Sequence, residues 1–131
     1  MFIRPLQGGE WNKVRVPTPE ISQESPIHAP PSRAVWYRCW VKVSDSFFTP
    51  HDRNLYEESA GLYITDLAGA HEAWVNGMPI GKGGNFPPDY RDGKASFHRH
   101  KIPVGTLQKG AWNEVAIRSY TAAGERSGFL G

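Results

Sequence analysis

Apolar and polar residues alternate along several short runs of this chain, and turn-forming residues bound each run. In Glu114–Tyr120, Val115 and Ile117 point one way, while Glu114, Arg118 and Tyr120 point the other. In Ala70–Asn76, Ala73 and Val75 form the apolar set, which sends Glu72 and Trp74 to the opposite face. Leu62–Leu67 repeats the pattern, with Leu62 and Ile64 inward and Tyr63 and Thr65 outward. Trp36–Val43 reads as a strong strand, and Phe2–Leu6, Val14–Val16, Met78–Ile80 and Phe97–Ile102 as short ones. Many short strands separated by turn signals predict an all-β chain: an antiparallel β-sandwich of the jelly-roll kind.

Asn76-Gly77, set between Trp74-Val75 and Met78–Ile80, predicts a tight hairpin. Both residues tolerate the positive φ that a type I′ turn requires at its two central positions. The pair is thus architecture, and Trp74 is the residue left facing outward. Gly81–Asp92 reads as a loop, and Lys109-Gly110 as the turn before the last clear strand. Val104–Leu107 reads as a turn after Pro103. Residues 17–33 carry Pro17, Pro19, Pro26, Pro30 and Pro31, so they read as an extended connection without regular structure. Residues 44–60 are polar and predict a loop, with one helical turn near Asn54–Ser59. The tail Gly124–Gly131 shows little periodicity.

Length and composition fit one domain spanning residues 1–131, read as a module of a larger protein. Aromatic residues make up 12% of the chain, which suits strands and also carbohydrate or protein contact surfaces. The net charge of +2 is too small, and the basic residues too scattered, for a nucleic-acid partner. No run approaches the length of a membrane span, so no membrane partner is expected. Residues 1–15 lack the apolar run of a signal peptide. Cys39, the one cysteine, allows no intrachain disulfide and sits mid-strand, where a thiol is inert.

The residues that suggest chemistry lie on the outward faces and in the Gly81–Asp92 loop. An outward Trp74 offers a stacking surface to the C–H face of a sugar ring, with Glu72, Arg118 and Tyr120 beside it. The bland alternative covers Trp74 with a loop, with the 17–33 segment or with a neighbouring domain. In the loop, Asn85, Asp89 and Arg91 offer paired polar groups to sugar hydroxyls, and Phe86 and Tyr90 offer ring faces. The alternative there is a proline-stiffened connection in which Phe86 plugs the core. His98 and His100 share one strand face, but no cysteine or third histidine follows at metal-ligand spacing, so the run reads as a solvated basic strand. No cofactor is expected; calcium suits a structural role, yet no Asp-rich loop marks a position for it. Catalysis has no carrier: there is no Gly-x-Ser-x-Gly elbow and no phosphate loop, and Glu57-Glu58, being adjacent, point apart.

Trp36-Tyr37-Arg38, then Trp74-Val75-Asn76-Gly77 with Gly81, then Gly110 with Asn113-Glu114-Val115-Ala116-Ile117-Arg118, occur in that order. This set resembles the galactose-binding-domain-like jelly roll. It is most similar to the sugar-binding domain of family 2 glycoside hydrolases and to accessory modules of sialate acetylesterases. The loop Phe86-Pro87-Pro88-Asp89-Tyr90 resembles a variant found in such modules, and the likeness runs from Trp11 to Gly128. Two departures stand out. Cys39 replaces the second basic residue of the Trp-Tyr-Arg strand, and no closing strand is visible after Tyr120. The second implies either a truncated domain or a strand supplied by the rest of a longer protein.

The resemblance implies a non-catalytic carbohydrate-binding or accessory module. Its partners would be an oligo- or polysaccharide and the catalytic domain of a parent glycan-active protein, in an extracellular or periplasmic setting. A structural or interaction module that docks against another domain or subunit is the alternative, because a shared fold does not carry function with it.

Overall fold

A computed structural model describes residues 1–6, 8–15, 19–20, 32–45, 60–93 and 97–129. Their strands, in chain order, are β1 (Phe2–Pro5), β2 (Asn12–Lys13), β3 (Pro19–Glu20), β4 (Arg33–Lys42), β5 (Ala60–Thr65), β6 (Ala70–Val75), β7 (Met78–Gly83), β8 (Phe97–Ile102), β9 (Trp112–Thr121) and β10 (Ser127–Gly128). Six of them form one antiparallel sheet in the order β2-β1-β4-β9-β6-β7. β5 and β8 pair separately, as do β3 and β10. β8 packs beside β7, which sets the β5–β8 pair across the core from the large sheet. The chain is therefore the all-β antiparallel sandwich that the alternation predicts.

The inward sets are those read from the sequence. Ala73 and Val75 of β6, Val115 and Ile117 of β9, and Ile64 of β5 are buried in one cluster with Val35, Tyr37, Leu67, Ile102 and Phe129. Full burial of each large aliphatic side chain is worth about 1.5–3 kcal/mol. That gain fixes strand register, since a slip of one residue would expose the whole inward set.

The hairpin turn is as expected: Asn76 and Gly77 have φ of 49° and 79°. The Asn76 side chain also ties strands together. Its amide donates to the Thr106 carbonyl (2.8 Å) and to Asn113 Oδ1 (2.8 Å), and its Oδ1 accepts from the Glu114 N–H (2.9 Å). Asn113 is fully buried and satisfied, accepting from the Gln108 N–H and donating to the carbonyls of Gln108 and Ala111. These two asparagines lock the β6–β7 turn to the start of β9.

Four expectations change. β7 continues through Gly81, Lys82 and Gly83, so the loop starts at Gly84 and not at Gly81. Glycine reads as a breaker, but here it marks close packing within a strand. Within the proline-rich stretch, Pro19–Glu20 pairs with Ser127–Gly128, an edge pairing that a proline tolerates. The tail also takes part in the fold. Leu67 and Phe129 form a bridge, and Phe129 is buried with its ring 5.1 Å from that of Tyr37. A segment with two strand residues and one buried ring leaves almost no periodic signal. Finally, the strand expected over Val14–Val16 is observed two residues earlier in the chain, at Asn12–Lys13. Val16, most of residues 17–33, the helical turn near Asn54–Ser59 and Glu57-Glu58 lie outside the described residues.

Candidate functional site

The outward face of the six-stranded sheet is built in rows set by register. Glu72 of β6, Arg118 of β9, Trp36 of β4 and Arg4 of β1 lie directly across from one another. The next row reads Trp74, Ala116, Arg38 and Phe2, and the row after it contains Glu114 and Trp40. Aromatic rings and charges are thus interleaved over this face. Ala116 carries only a methyl group, so the rings of Trp36 and Trp74 lean over it and meet at 5.1 Å between centroids. Trp74 faces outward as expected, but its cover comes from Trp36, a neighbour two strands away.

The arginines are sandwiched among the rings. Arg38 lies over Trp11 (4.3 Å to the ring centroid) and Trp40 (4.6 Å), Arg4 over Trp11 (4.9 Å), and Arg118 over Phe86 (4.3 Å). Such contacts contribute about 0.5–1 kcal/mol each at exposed sites. The Nε atoms of Arg4, Arg38 and Arg118 are covered and make no hydrogen bond. Arg118 is nevertheless 30% exposed, so its accessible part is the outer edge of the guanidinium. That edge meets Glu72 at 2.7 Å, with the carboxylate 29% exposed. Arg38 and Glu114 form a second, looser pair at 4.0 Å.

The loop after β7 closes over one end of this face. Asn85 and Arg91 exchange backbone hydrogen bonds of 2.8 and 3.0 Å, which pinches the loop at its base. Phe86 then lies over Arg118 and near Tyr120, with ring centroids 6.1 Å apart, and Tyr90 meets Tyr120 edge-on at 5.1 Å. The Tyr90 hydroxyl donates to the Glu125 carboxylate. Burial first, and then this bond and the negative charge of Glu125, push the Tyr90 hydroxyl well above its ordinary range, so it stays a neutral donor.

Of the residues singled out from sequence, Glu72, Trp74, Phe86, Tyr90, Arg118 and Tyr120 come together on this face. Phe86 lies on the outside of the sheet, which removes the reading in which it plugs the core. The Asn85 side chain accepts from Lys82 (3.3 Å), while Asp89 and Arg91 are exposed. Tyr63 belongs to the other sheet, where it stacks against Phe97 (5.5 Å) and under Arg99 (5.9 Å). Sequence reading missed Trp36, Arg38, Trp40, Arg4 and Trp11. Alternation in β4 carried the signal for the first three, since Val35, Tyr37 and Cys39 take the other face. Burial raises the Cys39 thiol above its usual range, in keeping with an unreactive side chain.

A second cluster lies on the inward side of β6. His71 is completely buried, and it meets His98 and His100 of β8 at ring centroid distances of 4.6 and 5.1 Å. His71 Nε2 and His100 Nε2 are 2.8 Å apart, so one ring donates to the other. The third histidine that sequence spacing did not offer thus arrives from a different strand. The available signal was its parity: His71 shares the inward set with Ala73 and Val75. Burial, then the neighbouring imidazoles, lowers the His71 pKa to about 4 and also lowers that of His100. Both rings are therefore neutral near pH 7.

No family model matches the chain, and no curated protein is similar to it in sequence. Two solved structures are similar in fold. A β-D-glucuronidase of Dictyoglomus thermophilum aligns with a TM-score of 0.62 and 16% identity, over 90% of this chain and 18% of that one. A β-D-mannosidase of the same organism aligns with a TM-score of 0.64 and 16% identity, over 90% of this chain and 14% of that one. This chain thus spans a small part of each enzyme's length. The likeness supports the expected resemblance in fold, that of a domain carried by glycoside hydrolases.

Proposed function

We propose that this chain is a non-catalytic accessory module of a glycan-active protein, and that the outward face of its large sheet binds a glycan. One observation carries the reading: the Glu72–Arg118 pair, with both partners still about 30% exposed, is bordered by the rings of Phe86 and Tyr120, next to the Trp36–Trp74 pair. A sugar ring has an apolar C–H face and a rim of hydroxyls. The rings stack on the first, while the free edge of the guanidinium donates to the hydroxyls and that of the carboxylate accepts from them. The face is open and rigid, so affinity is weak and depends on attachment to neighbouring modules. The fold neighbours supply context, because each carries a domain of this shape within a longer glycosidase chain.

Titration of the whole chain with galactosides, β-glucans, and pectic and algal glycans tests this, with tryptophan fluorescence as the readout. The expected result is a saturable response to at least one class, reduced about tenfold or more in Trp74→Ala and Arg118→Ala with melting temperature little changed. A response equal in wild type and both variants, or none from any glycan, overturns it.

A second reading rests on the other end of the same face. Trp40 is 41% exposed and Trp112 65% exposed on the outward face of neighbouring strands β4 and β9. Large apolar groups gathered in this way suit docking against another domain or subunit. Self-association lost in Trp112→Ser but kept in Trp74→Ala would favour this docking role for that end.

A further inference from the structure

The geometry points to a transition-metal site formed by His71, His98 and His100 between the two layers of the sandwich, with zinc as the best-matched ion. Each imidazole offers one ring nitrogen, and these nitrogens lie within 4.8 Å of one another. Zinc holds nitrogen ligands at about 2.0–2.1 Å in a tetrahedron, which places them about 3.3 Å apart. The close pair, His71 and His100 at 2.8 Å, must open slightly. The widest pair closes by at most about 1.5 Å, shared between two rings. One metal ion would replace the proton that the two Nε2 atoms now share.

Independent features of the surroundings agree. His71 is fully buried, and of its two ring nitrogens only Nε2, the one an ion would take over, has a partner. An unsatisfied buried polar atom is costly, and a core that only needed filling would be served better by an apolar side chain. The opposite strand, β7, is cut away to make room. A Cβ at Gly81 would lie 2.2 Å from His100 Nδ1, and one at Gly83 would lie 2.5 Å from His71 Cε1 and 2.6 Å from His98 Cε1. The rings occupy the space that side chains of β7 would otherwise fill. Three imidazoles with no carboxylate among them suit zinc, copper, nickel or cobalt; calcium and magnesium prefer oxygen. His98, the least buried of the three, leaves a route for the ion and for a water as the fourth ligand. Two of the donors come from β8 and one from β6, so the bound ion would clamp the small sheet to the large one. This site is on the opposite side of β6 from the aromatic face and does not depend on glycan binding.

The test uses the full chain, stripped with a chelator and then titrated with Co²⁺ and with Zn²⁺. The expected result is one equivalent of Co²⁺ giving the intense visible bands of a tetrahedral ion, displaced by Zn²⁺, together with a zinc-dependent rise in melting temperature. His98→Gln changes the most accessible ring and should keep the fold. It should weaken zinc binding by more than about a hundredfold, since even partners one shell further out cost 10–100-fold. His100→Gln serves as a second variant, and His28→Gln with His51→Gln as controls at the other histidines, which should bind as wild type. The proposal is overturned if wild type shows no stoichiometric binding, if His98→Gln and His100→Gln both bind as tightly as wild type, or if only the His28 and His51 changes remove binding.

Discussion

The two faces of β6 contrast sharply although they alternate residue by residue. Outward, Glu72 pairs with Arg118 of β9 and Trp74 reaches across β9 to Trp36, and each stays partly exposed. Inward, Ala73 and Val75 join the apolar core while His71 beside them is polar, fully buried and left with an unpaired nitrogen. The outward face solves the problem of exposed rings by stacking them on one another and on guanidinium groups. The inward face departs from the apolar rule at one position, and that position coincides with a glycine, Gly83, that clears space for it. Local departures from an otherwise consistent pattern are where function or strain is to be sought.

The largest expected effect measures the difference between core and surface on a single strand. Ile117→Ala, at the centre of β9 and in the buried cluster, should cost about 2–5 kcal/mol in chemical denaturation. The neighbouring outward change Arg118→Ala should cost about 1 kcal/mol or less, since its pair and ring contact are partly solvated. Equal costs would mean that the outward layer is as much a core as the inner one.

Acid should probe the inward face alone. The folded pKa of His71 is about 4, against 6.5 when unperturbed. Between those values the unfolded chain binds a proton that the folded chain refuses, so stability rises with pH across this window. Stability is fully present above pH 6.5 and falls as the pH drops from 6.5 towards 4, by on the order of 2–3 kcal/mol from this group. His98 and His100 of β8 face the same ring, Ser119 of β9 lies beside it in register, and β7 presents glycine there, so no carboxylate of these strands offsets the loss. Denaturation midpoints measured in chelator from pH 4 to 8 should show the slope in wild type and a flatter one in His71→Phe. The same slope in both would place the acid sensitivity elsewhere.

Gly83→Ala should cost about 1–3 kcal/mol, because its methyl group meets two imidazole rings at 2.5–2.6 Å in a packed interior. Nothing lies within 4 Å of a Cβ at Gly77, but its φ of 79° makes Gly77→Ala costly for a different reason, backbone strain of about 1 kcal/mol. Pairing Gly83→Ala with His71→Ala separates these causes. The combined variant should recover part of the Gly83→Ala loss if ring collision is the cause, and none if the backbone at Gly83 is at fault.

How much of this was legible before the fold was known depends on the range of the signal. The alternation in Glu114–Tyr120 and Ala70–Asn76 named the inward and outward sets, and Asn76-Gly77 named the turn, because each is a local property of a few residues. Trp36 as the partner of Trp74 was not legible, since it follows from β4 and β6 both pairing with β9 and from Ala116 lying between them. The histidine cluster was hidden for the same reason: His71 precedes His98 in the chain by more than a strand and a loop, and only the packing of β8 beside β7 joins them. Gly81 and Gly83 were misread as loop because a missing side chain looks alike in a turn and in a crowded strand. Phe129 went unnoticed because a single buried ring in a tail has no period to display.

The smallest effect concerns what the Glu72–Arg118 pair is for. A double-mutant cycle with Glu72→Gln and Arg118→Gln should give a coupling of about 0.2–1 kcal/mol in stability, as expected for a partly exposed pair even at 2.7 Å. If the pair serves a ligand, the same variants should lose glycan response by about tenfold each, far more than so small a coupling predicts. If it only fastens β6 to β9, the coupling should approach or exceed the upper end of that range while any glycan response stays unchanged. The covered Nε of Arg118 and its stacking on Phe86 hold the guanidinium in place without Glu72, so removing the carboxylate leaves the cation aimed outward. An arginine kept in position by a ring, and not by its counter-ion alone, can donate to a ligand's hydroxyl oxygen beside that counter-ion, which is the property a binding face needs and a fastening does not.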